Sequence, residues 1–459
     1  MTRDSFSRIR RRIAAPAMLL AATTVLAAAG GSVMTVPPMD DTYIHLVYGE
    51  SLISGEPMVY SGSEPSSGLT SPLWLLPSAL SALAGRSAGP LILMGCSLVL
   101  SLLLLYSMGT LSAMVMVLAG PFLFHSGSGM ETSLSCLLVF LVWKWIDEGR
   151  GRTGPGGLLL AAAFLTRPEL ILLVIPMTLS MDRRTPGSIA ALAAPSIAAG
   201  LIWAAWNMWS TGLPLPSTFY AKLSVSWFTS LRNGLPGLAY SLLITSPLLL
   251  FSTVSGVLML FSRRRTDRRS LALGLTVVLL FLVTFALQPN SYFQMRYYLP
   301  ALTASVMSSS VWLSGLGGRK RLNTALLVLS MLPGLIVYGE RRTGASRDVM
   351  CIDVAPARYL EEIALAGEKV AAADIGAVGW ISGLEIVDLD GLVTPERLPG
   401  PGRQGWEWIG NSADYLLAFP RQYSGLIQEA GDDISFLRGF GTQSSVICGE
   451  DSVALWRIE

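Results

Sequence analysis

Long apolar segments separated by short polar loops dominate the first three-quarters of the chain. Twelve such segments can be marked, at residues 13–36, 71–84, 88–107, 109–125, 130–146, 155–166, 168–181, 187–209, 236–262, 270–288, 297–315 and 322–338. The pattern predicts a polytopic α-helical membrane protein, but several segments fall short of the roughly 20 residues that a full crossing needs. We therefore expect about 10–12 transmembrane or re-entrant helices.

The first apolar segment follows a basic start, Arg3 to Arg12, as it would in a signal peptide. Its apolar part spans roughly 24 residues, whereas the apolar core of a signal peptide has about 7–15. We therefore expect an uncleaved first span with a cytoplasmic N-terminus.

Basic residues cluster in loops that the positive-inside rule places in the cytoplasm. These loops contain Arg8–Arg12, Lys144 with Arg150 and Arg152, Arg183-Arg184, Arg263 to Arg269, and Arg319 to Arg321. The opposite, extracytoplasmic face then receives residues 37–70, 166–169, 210–235, 289–296 and 340–459. Five apolar segments separate Arg12 from Lys144, and this odd number contradicts the charges unless 71–84 or 109–125 is re-entrant or merged with a neighbour.

The polar C-terminal part predicts a separate fold. Short strand candidates alternate with a helix at Pro356 to Ala366, and they comprise Val370–Ala373, Glu385–Leu389, Tyr415–Ala418, Ser445–Cys448 and Val453–Ile458. Roughly 110 residues are enough to bury a small core. The sequence therefore predicts a transmembrane catalytic domain at residues 1–340 and a small extracytoplasmic α/β domain at residues 341–459.

Composition agrees with a membrane protein and excludes one class of partner. Hydrophobic residues make up 51% of the chain and charged residues 14%, and the mean hydropathy is +0.52. Soluble domains carry roughly 25% charged residues. A net charge of +2 without a basic face argues against a nucleic-acid partner.

Cys351 and Cys448 in the polar part could form a disulfide or remain two free thiols.

The most informative stretch is the acid pair Asp40-Asp41, directly after the first apolar segment. Ionisable groups so close to hydrocarbon are costly, which indicates a functional site, although either acid could simply cap the helix that follows. Residues 42–53 suit a short amphipathic helix lying in the membrane interface. One carboxylate could act as a general base towards an acceptor hydroxyl, while the other orients it or holds a divalent cation.

Three further side chains are candidates for substrate binding. Tyr43 and His45 follow the acid pair, and His45 is more often a local hydrogen-bond partner than a ligand. Glu131 follows a Ser/Gly-rich break at residues 126–129 and could either cap the next helix or belong to the site.

Three isolated cations fall on the predicted outer face: Arg167, Lys222 and Arg296. Each could be a snorkelling side chain or a surface ion-pair partner. Arg and Lys are also the usual phosphate-binding residues, so an anionic head group on a membrane-anchored substrate would explain all three.

Other common chemistries have no support in the sequence. It contains no Walker loop and no CxxC pair, and with only His45 and His125 a multi-histidine metal site is excluded. The Asp374 to Gly379 stretch lacks the full glycine spacing of a nucleotide-binding turn, so we interpret it as structural.

The motifs, in this order, resemble the GT-C superfamily of membrane glycosyltransferases that use polyprenyl-phosphate sugars. The nearest branch is that of the mycobacterial arabinofuranosyltransferases, and protein mannosyltransferases and lipid A aminoarabinose transferases are more distantly similar. The matching stretches are Asp40 to Ile44, Ser67 to Trp74, Ser128 to Thr132, Leu165 to Glu169, Leu215 to Lys222, Arg296 to Pro300, Asp374 to Ala377 and Asp390 to Val393.

This resemblance implies an inverting transfer on the extracytoplasmic face of the bacterial inner membrane, with an aspartate base in the first outer loop. The base corresponds to Asp40, with Asp41 beside it, and Lys222, Arg296 and Arg167 would hold the lipid phosphate. The chain departs from the family pattern at Thr42, Leu46-Val47 and Ser67. These departures leave the sugar open, and the acceptor could be a glycan, a lipid or a protein.

Two other functions remain alternatives: a lipid-linked sugar transporter or flippase, and a non-catalytic envelope-assembly protein. Transporters often consist of pseudo-symmetric halves with a site at the midplane. The sequence shows no such halves, and its polar residues cluster towards one face.

Overall fold

The computed structural model describes residues 3–56, 58–62, 65–149, 153–223, 227–261, 268–314, 320–393, 405–447 and 450–459. Helices account for most of the apolar part. In chain order they are α1 (Arg3–Gly30), α2 (Asp41–Ile53), α3 (Leu75–Ala82), α4 (Gly85–Ser107), α5 (Thr110–Leu118), α6 (Gly120–His125), α7 (Thr132–Asp147), α8 (Thr153–Thr166), α9 (Val174–Ser180), α10 (Pro186–Thr211), α11 (Ser217–Leu223), α12 (Trp227–Tyr240), α13 (Pro247–Phe261), α14 (Arg268–Leu287), α15 (Leu299–Ser314) and α16 (Lys320–Asp348).

The helices confirm a multi-pass membrane protein. Within the described ranges, five stretches are long and apolar enough to cross a bilayer: Ile13–Thr35, Gly85–Ser107, Pro186–Thr211, Arg268–Leu287 and Thr324–Ile363. A sixth is present if Trp227–Thr245 and Pro247–Leu258, which meet at 93°, form one bent span.

Several of the predicted apolar segments are interrupted. Residues 109–125 form two helices because the backbone is extended at Ala119, just before Pro121 in the first turn of α6. Residues 168–181 form a 3₁₀ turn, Pro168–Leu173, followed by α9. Residues 71–84 likewise begin with a 3₁₀ turn, Pro72–Trp74. Which of these segments fails to cross the bilayer stays a prediction.

The C-terminal part is the expected small α/β unit. It contains α17 (Ala355–Ile363), β1 (Lys369–Ala372), α18 (Gly376–Ser382), β2 (Glu385–Asp388), α19 (Trp406–Ser412), β3 (Tyr415–Ala418), α20 (Ser424–Ala430), β4 (Ile434–Gly441) and β5 (Ser452–Ile458). The five strands form one sheet in the order β2-β1-β3-β5-β4. Pairing of β1 with β2 and β3 is parallel, whereas β5 pairs antiparallel with β3 and β4.

Four of the five strand predictions are confirmed, and the fifth was placed wrongly. Residues 445–447 of the Ser445–Cys448 candidate are not in a strand, and Cys448 lies outside the described residues. The missed strand is β4, at the edge of the sheet. It is irregular between Phe436 and Arg438 and largely exposed, so its sequence lacks the apolar alternation of a half-buried strand. The disulfide between Cys351 and Cys448 stays a prediction.

Two hydrophobic cores organise the molecule, and the first outer loop belongs to the second one. The first core packs the membrane helices together. The second combines Tyr43, Leu46 and Tyr48 of α2 with Val370 and Leu416 of the sheet. The C-terminal part is thus packed directly onto α2, and the predicted boundary at residue 340 falls inside the continuous helix α16.

Candidate functional site

Helix α2 begins at the acid pair and packs most of its first two turns against the rest of the protein. The helix covers the predicted residues, but Thr42, Tyr43, His45 and Leu46 are all buried. Gly49 allows the close approach to α3, because a Cβ there would lie 2.6 Å from the Ser78 carbonyl carbon. The prediction of a helix is confirmed, and its position relative to the membrane surface stays a prediction.

The two neighbouring acids have different partners. Asp40 stands at the N-cap position of α2, yet its side chain makes no hydrogen bond to that helix. Its Oδ2 accepts a hydrogen bond from the Gly376 amide at 2.6 Å, and its Oδ1 accepts one from the Ala377 amide at 2.7 Å. The carboxylate therefore binds the first two amides of α18 instead of those of α2. Burial raises the pKa of Asp40 to about 6, although the two amides act in the opposite direction.

Asp41 forms an ion pair with one of the predicted phosphate-binding cations. Its Oδ2 lies 2.7 Å from Arg296 Nη1, and its side chain remains 37% exposed, whereas Arg296 is only 8% exposed. Arg296 Nη2 also donates to the Tyr297 hydroxyl at 3.1 Å. The Nε of Arg296 has no partner, so this guanidinium keeps unused donor capacity.

Arg296 follows an unusual turn. Phe293, Gln294 and Met295 have φ values of 55°, 56° and 63°, a left-handed conformation that costs energy for non-glycine residues. Gln294 is held from three sides. Its amide donates to the Val446 carbonyl at 2.9 Å, its Oε1 accepts from Arg341 at 3.1 Å, and its carbonyl contacts His125 Nε2 at 3.1 Å.

A second ion-pair group lies nearby and is also buried. Glu131 Oε1 accepts from Arg167 Nη2 at 2.8 Å, and Glu131 Oε2 lies 3.7 Å from His45 Nε2, which is a contact and not a hydrogen bond. Arg167 also reaches Glu169 at 3.3 Å. The side chains of Arg167 and Glu131 are 4% and 5% exposed.

Tyr297 connects the two groups. The guanidinium groups of Arg167 and Arg296 each lie 5.0 Å from the centre of its ring, which is within cation–π range. We call Asp41, His45, Glu131, Arg167, Arg296 and Tyr297 the charged cluster. It brings together residues that lie up to 256 positions apart in the sequence, counted from Asp41 to Tyr297.

Besides Asp40, two of the predicted site residues are not placed in this cluster, Lys222 and Tyr43. Lys222 lies in α11, and its side chain is outside the described residues. The start of α11 nevertheless contacts the first outer loop, since the Ser217 amide donates to the Ser67 carbonyl at 3.0 Å. Tyr43 is buried on the Asp40 side of α2, and burial together with the Asp40 charge raises the pKa of its hydroxyl.

The acid pair does not present an open cation site. Each oxygen of Asp40 accepts one hydrogen bond from a backbone amide, and one oxygen of Asp41 is paired with Arg296. Across the part of the chain that the structure describes, no group of three or more His, Cys, Asp or Glu side chains is arranged for a metal ion. A divalent cation on Asp40 and Asp41 stays a prediction, and no step proposed below involves one.

Sequence reasoning missed Glu169, Tyr297 and the two amides of α18. Glu169 and Tyr297 both lie in motifs that carried the family resemblance, next to Arg167 and Arg296, so the motifs themselves gave a signal. Gly376 and Ala377 also lie in one of these motifs, Asp374 to Ala377, but the sequence does not show that their backbone amides are the groups that act, because a backbone donor has no side-chain identity.

Comparisons with known proteins bear on the fold. A family model described as a domain of unknown function, DUF8728, matches residues 345–454. No curated protein sequence matches the chain. ArnT from Cupriavidus metallidurans bound to undecaprenyl phosphate superposes with a TM-score of 0.54 at 12% identity, over 96% of this chain and 97% of that one. The chain has the GT-C fold.

A second relative supports the same conclusion. The Archaeoglobus fulgidus oligosaccharyltransferase, tethered to an acceptor peptide with the NVT sequon, superposes with a TM-score of 0.50 at 11% identity, over 96% of this chain and 75% of that one. The fold that the motifs implied is therefore confirmed over nearly the whole chain.

Proposed function

We propose that the chain is a membrane glycosyltransferase of GT-C type. It moves a sugar from a polyprenyl phosphate to an acceptor hydroxyl at the outer face of the bacterial inner membrane. The observation that carries the proposal is the acid pair itself, in which one carboxylate is paired with a buried arginine and the other is not. The fold shared with an undecaprenyl-phosphate-bound protein supports the same substrate class.

The cations near Asp41 are suited to bind the phosphate leaving group. Arg296 and Arg167 carry two positive charges in a buried setting, and Lys222 follows on a helix tied to the first outer loop. The phosphate oxygen keeps the electron pair of the breaking bond and gains negative charge, so preorganised guanidinium groups stabilise the transition state more than the bound substrate. Asp41 acts as a positioning residue that orients Arg296.

Asp40 is suited to act as the general base. With a pKa raised to about 6, Asp40 is ionised at neutral pH yet more basic than an ordinary aspartate. The two amides fix its orientation and leave each oxygen one lone pair. In the proposed reaction the acceptor oxygen bonds to the anomeric carbon, the bond from that carbon to the phosphate oxygen breaks, and the acceptor proton passes to Asp40.

Reconstitution tests this assignment directly. Purified full-length protein in lipid vesicles would be given a panel of polyprenyl-phosphate sugars, and released polyprenyl phosphate would be measured. We expect Asp40→Asn and Arg296→Gln each to lower transfer by about 10²–10³-fold. Glu56→Gln changes an exposed acid in the same outer loop and serves as the matched control.

The outcomes separate the alternatives. Normal transfer by Asp40→Asn would show that another group is the base. Lipid movement across the membrane without release of polyprenyl phosphate would indicate a flippase, and neither activity with any donor would favour an assembly protein.

A further inference from the structure

A cavity of about 260 Å³ lies on the Tyr43 side of α2, away from the charged cluster. Its walls come from both halves of the molecule. Tyr43, Arg86 and Leu91 belong to the membrane part, whereas Arg358 and Glu361 belong to α17. The cavity thus lies between the two parts of the molecule. The contact between Asp40 and α18 also joins these two parts.

The cavity lies at the ends of two candidate membrane spans. Thr35, the last residue of the first candidate span, lines it, and so does Arg86 in the first turn of the span Gly85–Ser107. One turn further along α4, Leu91 and Ile92 are 46% and 42% exposed, as expected for side chains that face lipid. The cavity therefore continues into an apolar surface.

The charge inside the cavity favours an anion. Two cations, Arg86 and Arg358, line it with a single acid, Glu361. Like charges that face one space repel each other, and an anion between them removes that cost. An arginine fork is also the side chain best shaped to bind a phosphate through two hydrogen bonds.

Arg86 is held ready for such a ligand. Its Nη1 donates to the Ile381 carbonyl at 2.8 Å, and its own carbonyl accepts from Trp380 Nε1 at 3.0 Å. Gly383 leaves room for the guanidinium, because a Cβ there would lie 2.7 Å from Nη2. One of the five N–H donors is used by Ile381, and the fork is fixed in orientation.

We propose that this cavity binds the phosphate head group of an anionic membrane phospholipid, which bridges Arg86 and Arg358 and fastens the C-terminal part to the membrane part. The bilayer edge supplies such head groups at high local concentration, and anionic lipids attract basic residues placed there. The site differs from the proposed donor site, because neither Asp41 nor its partner Arg296 lines this cavity. It does not depend on the proposed reaction.

The test compares thermal unfolding of the full-length protein in nanodiscs of phosphatidylcholine with and without phosphatidylglycerol. We expect phosphatidylglycerol to raise the Tm of the wild type by about 2–4 °C. Arg358→Gln should lose most of that increment and Arg358→Lys should keep part of it. Arg421→Gln, which changes an exposed arginine of the same part that does not line the cavity, should keep all of it.

The increment, and not the absolute Tm, is the readout, so a variant that is merely less stable does not imitate the result. An equal increment in Arg358→Gln and the wild type would overturn the proposal. So would an increment produced by inorganic phosphate alone, or one produced by polyprenyl phosphate but not by phosphatidylglycerol. Native mass spectrometry, which counts phosphatidylglycerol bound to wild type and Arg358→Gln, should show one fewer retained lipid in the variant.

Discussion

The two sides of helix α2 differ in how they use charge. On the Asp41 side, acids meet arginines within the charged cluster, and every acid there has a cationic partner within 4 Å. On the Asp40 side, both oxygens of the acid accept hydrogen bonds from backbone amides of α18. Neighbouring positions on a helix are separated by about 100°. One residue step thus places chemically identical side chains in two electrostatic settings, one suited to holding a phosphate and one suited to taking a proton.

Breaking the charged cluster should have the largest effect on stability. Glu131→Gln would leave Arg167 buried with only Glu169 as an ionised partner. Removing one member of a buried ion pair costs about 3–5 kcal/mol. We expect a large loss of Tm in detergent, measured by differential scanning fluorimetry.

The control for that experiment is Glu148→Gln. Glu148 pairs with Lys144 at 3.6 Å on an exposed helix surface, and such pairs are worth about 0–1 kcal/mol. Equal losses of Tm in the two variants would mean that the burial of Glu131 carries no special weight.

The contact between Asp40 and α18 can be disrupted by a substitution that changes no charge. In Gly376→Ala the new Cβ would collide with the Asp40 carbonyl and with its Oδ2, which lies 2.6 Å away. Overpacking of this kind costs about 1–3 kcal/mol. We expect faster hydrogen exchange in α18 and lower transfer, with the exchange rates around Arg296 unchanged.

Gly425→Ala is the matched change for that variant. Gly425 lies in α20 with open space around it, so alanine should leave stability unchanged or raise it by about 0.5–1 kcal/mol. If α18 in Gly376→Ala exchanged its amide hydrogens as slowly as in the wild type, the Asp40 contact would not hold the two parts together.

The pH dependence of transfer should report the Asp40 side alone. Because burial raises the pKa of Asp40 to about 6, kcat/KM should fall about tenfold per pH unit below that value. A folded-state pKa above the unfolded value contributes stability that is fully present below pH 3.8 and is lost as pH rises through 6. Protonation of Asp40 therefore does not unfold the protein. A flat profile between pH 5 and 7 would contradict the base assignment.

The smallest effect is expected at the residue that joins the two arginines. Tyr297→Phe removes the hydroxyl that accepts from Arg296 but keeps the ring near both guanidinium groups. A hydrogen bond of this kind contributes about 1 kcal/mol, so transfer should fall about fivefold. Tyr297→Leu, which also removes the ring, should lower transfer further than Tyr297→Phe does. Equal activity of the two variants would show that the ring does not order the arginines.

The fold could be predicted from sequence to the extent that burial leaves a periodic pattern. The membrane helices and the four strands with at least one buried face were predicted because apolar residues recur in them. Strand β4 was not, because its exposed edge carries no such pattern.

The candidate site was predictable in its parts but not in its connections. Asp41, Arg167, Glu131 and Arg296 could be recognised as costly charges close to apolar segments. Which acid pairs with which cation depends on contacts between distant segments. The partners of Asp40 are backbone amides of Gly376 and Ala377, and although these residues lie in a recognisable motif, the motif does not say which side chain they bind.

The left-handed turn before Arg296 bears on whether the chain can be divided. Gln294 in that turn donates to the carbonyl of Val446, which follows the edge strand β4 and lies far along the chain from the end of α16. Residues 1–340 expressed alone would therefore retain the arginine but lose a support that gives it one orientation. The C-terminal part, which looks along the sequence like an appended module, therefore belongs to the support of the candidate site.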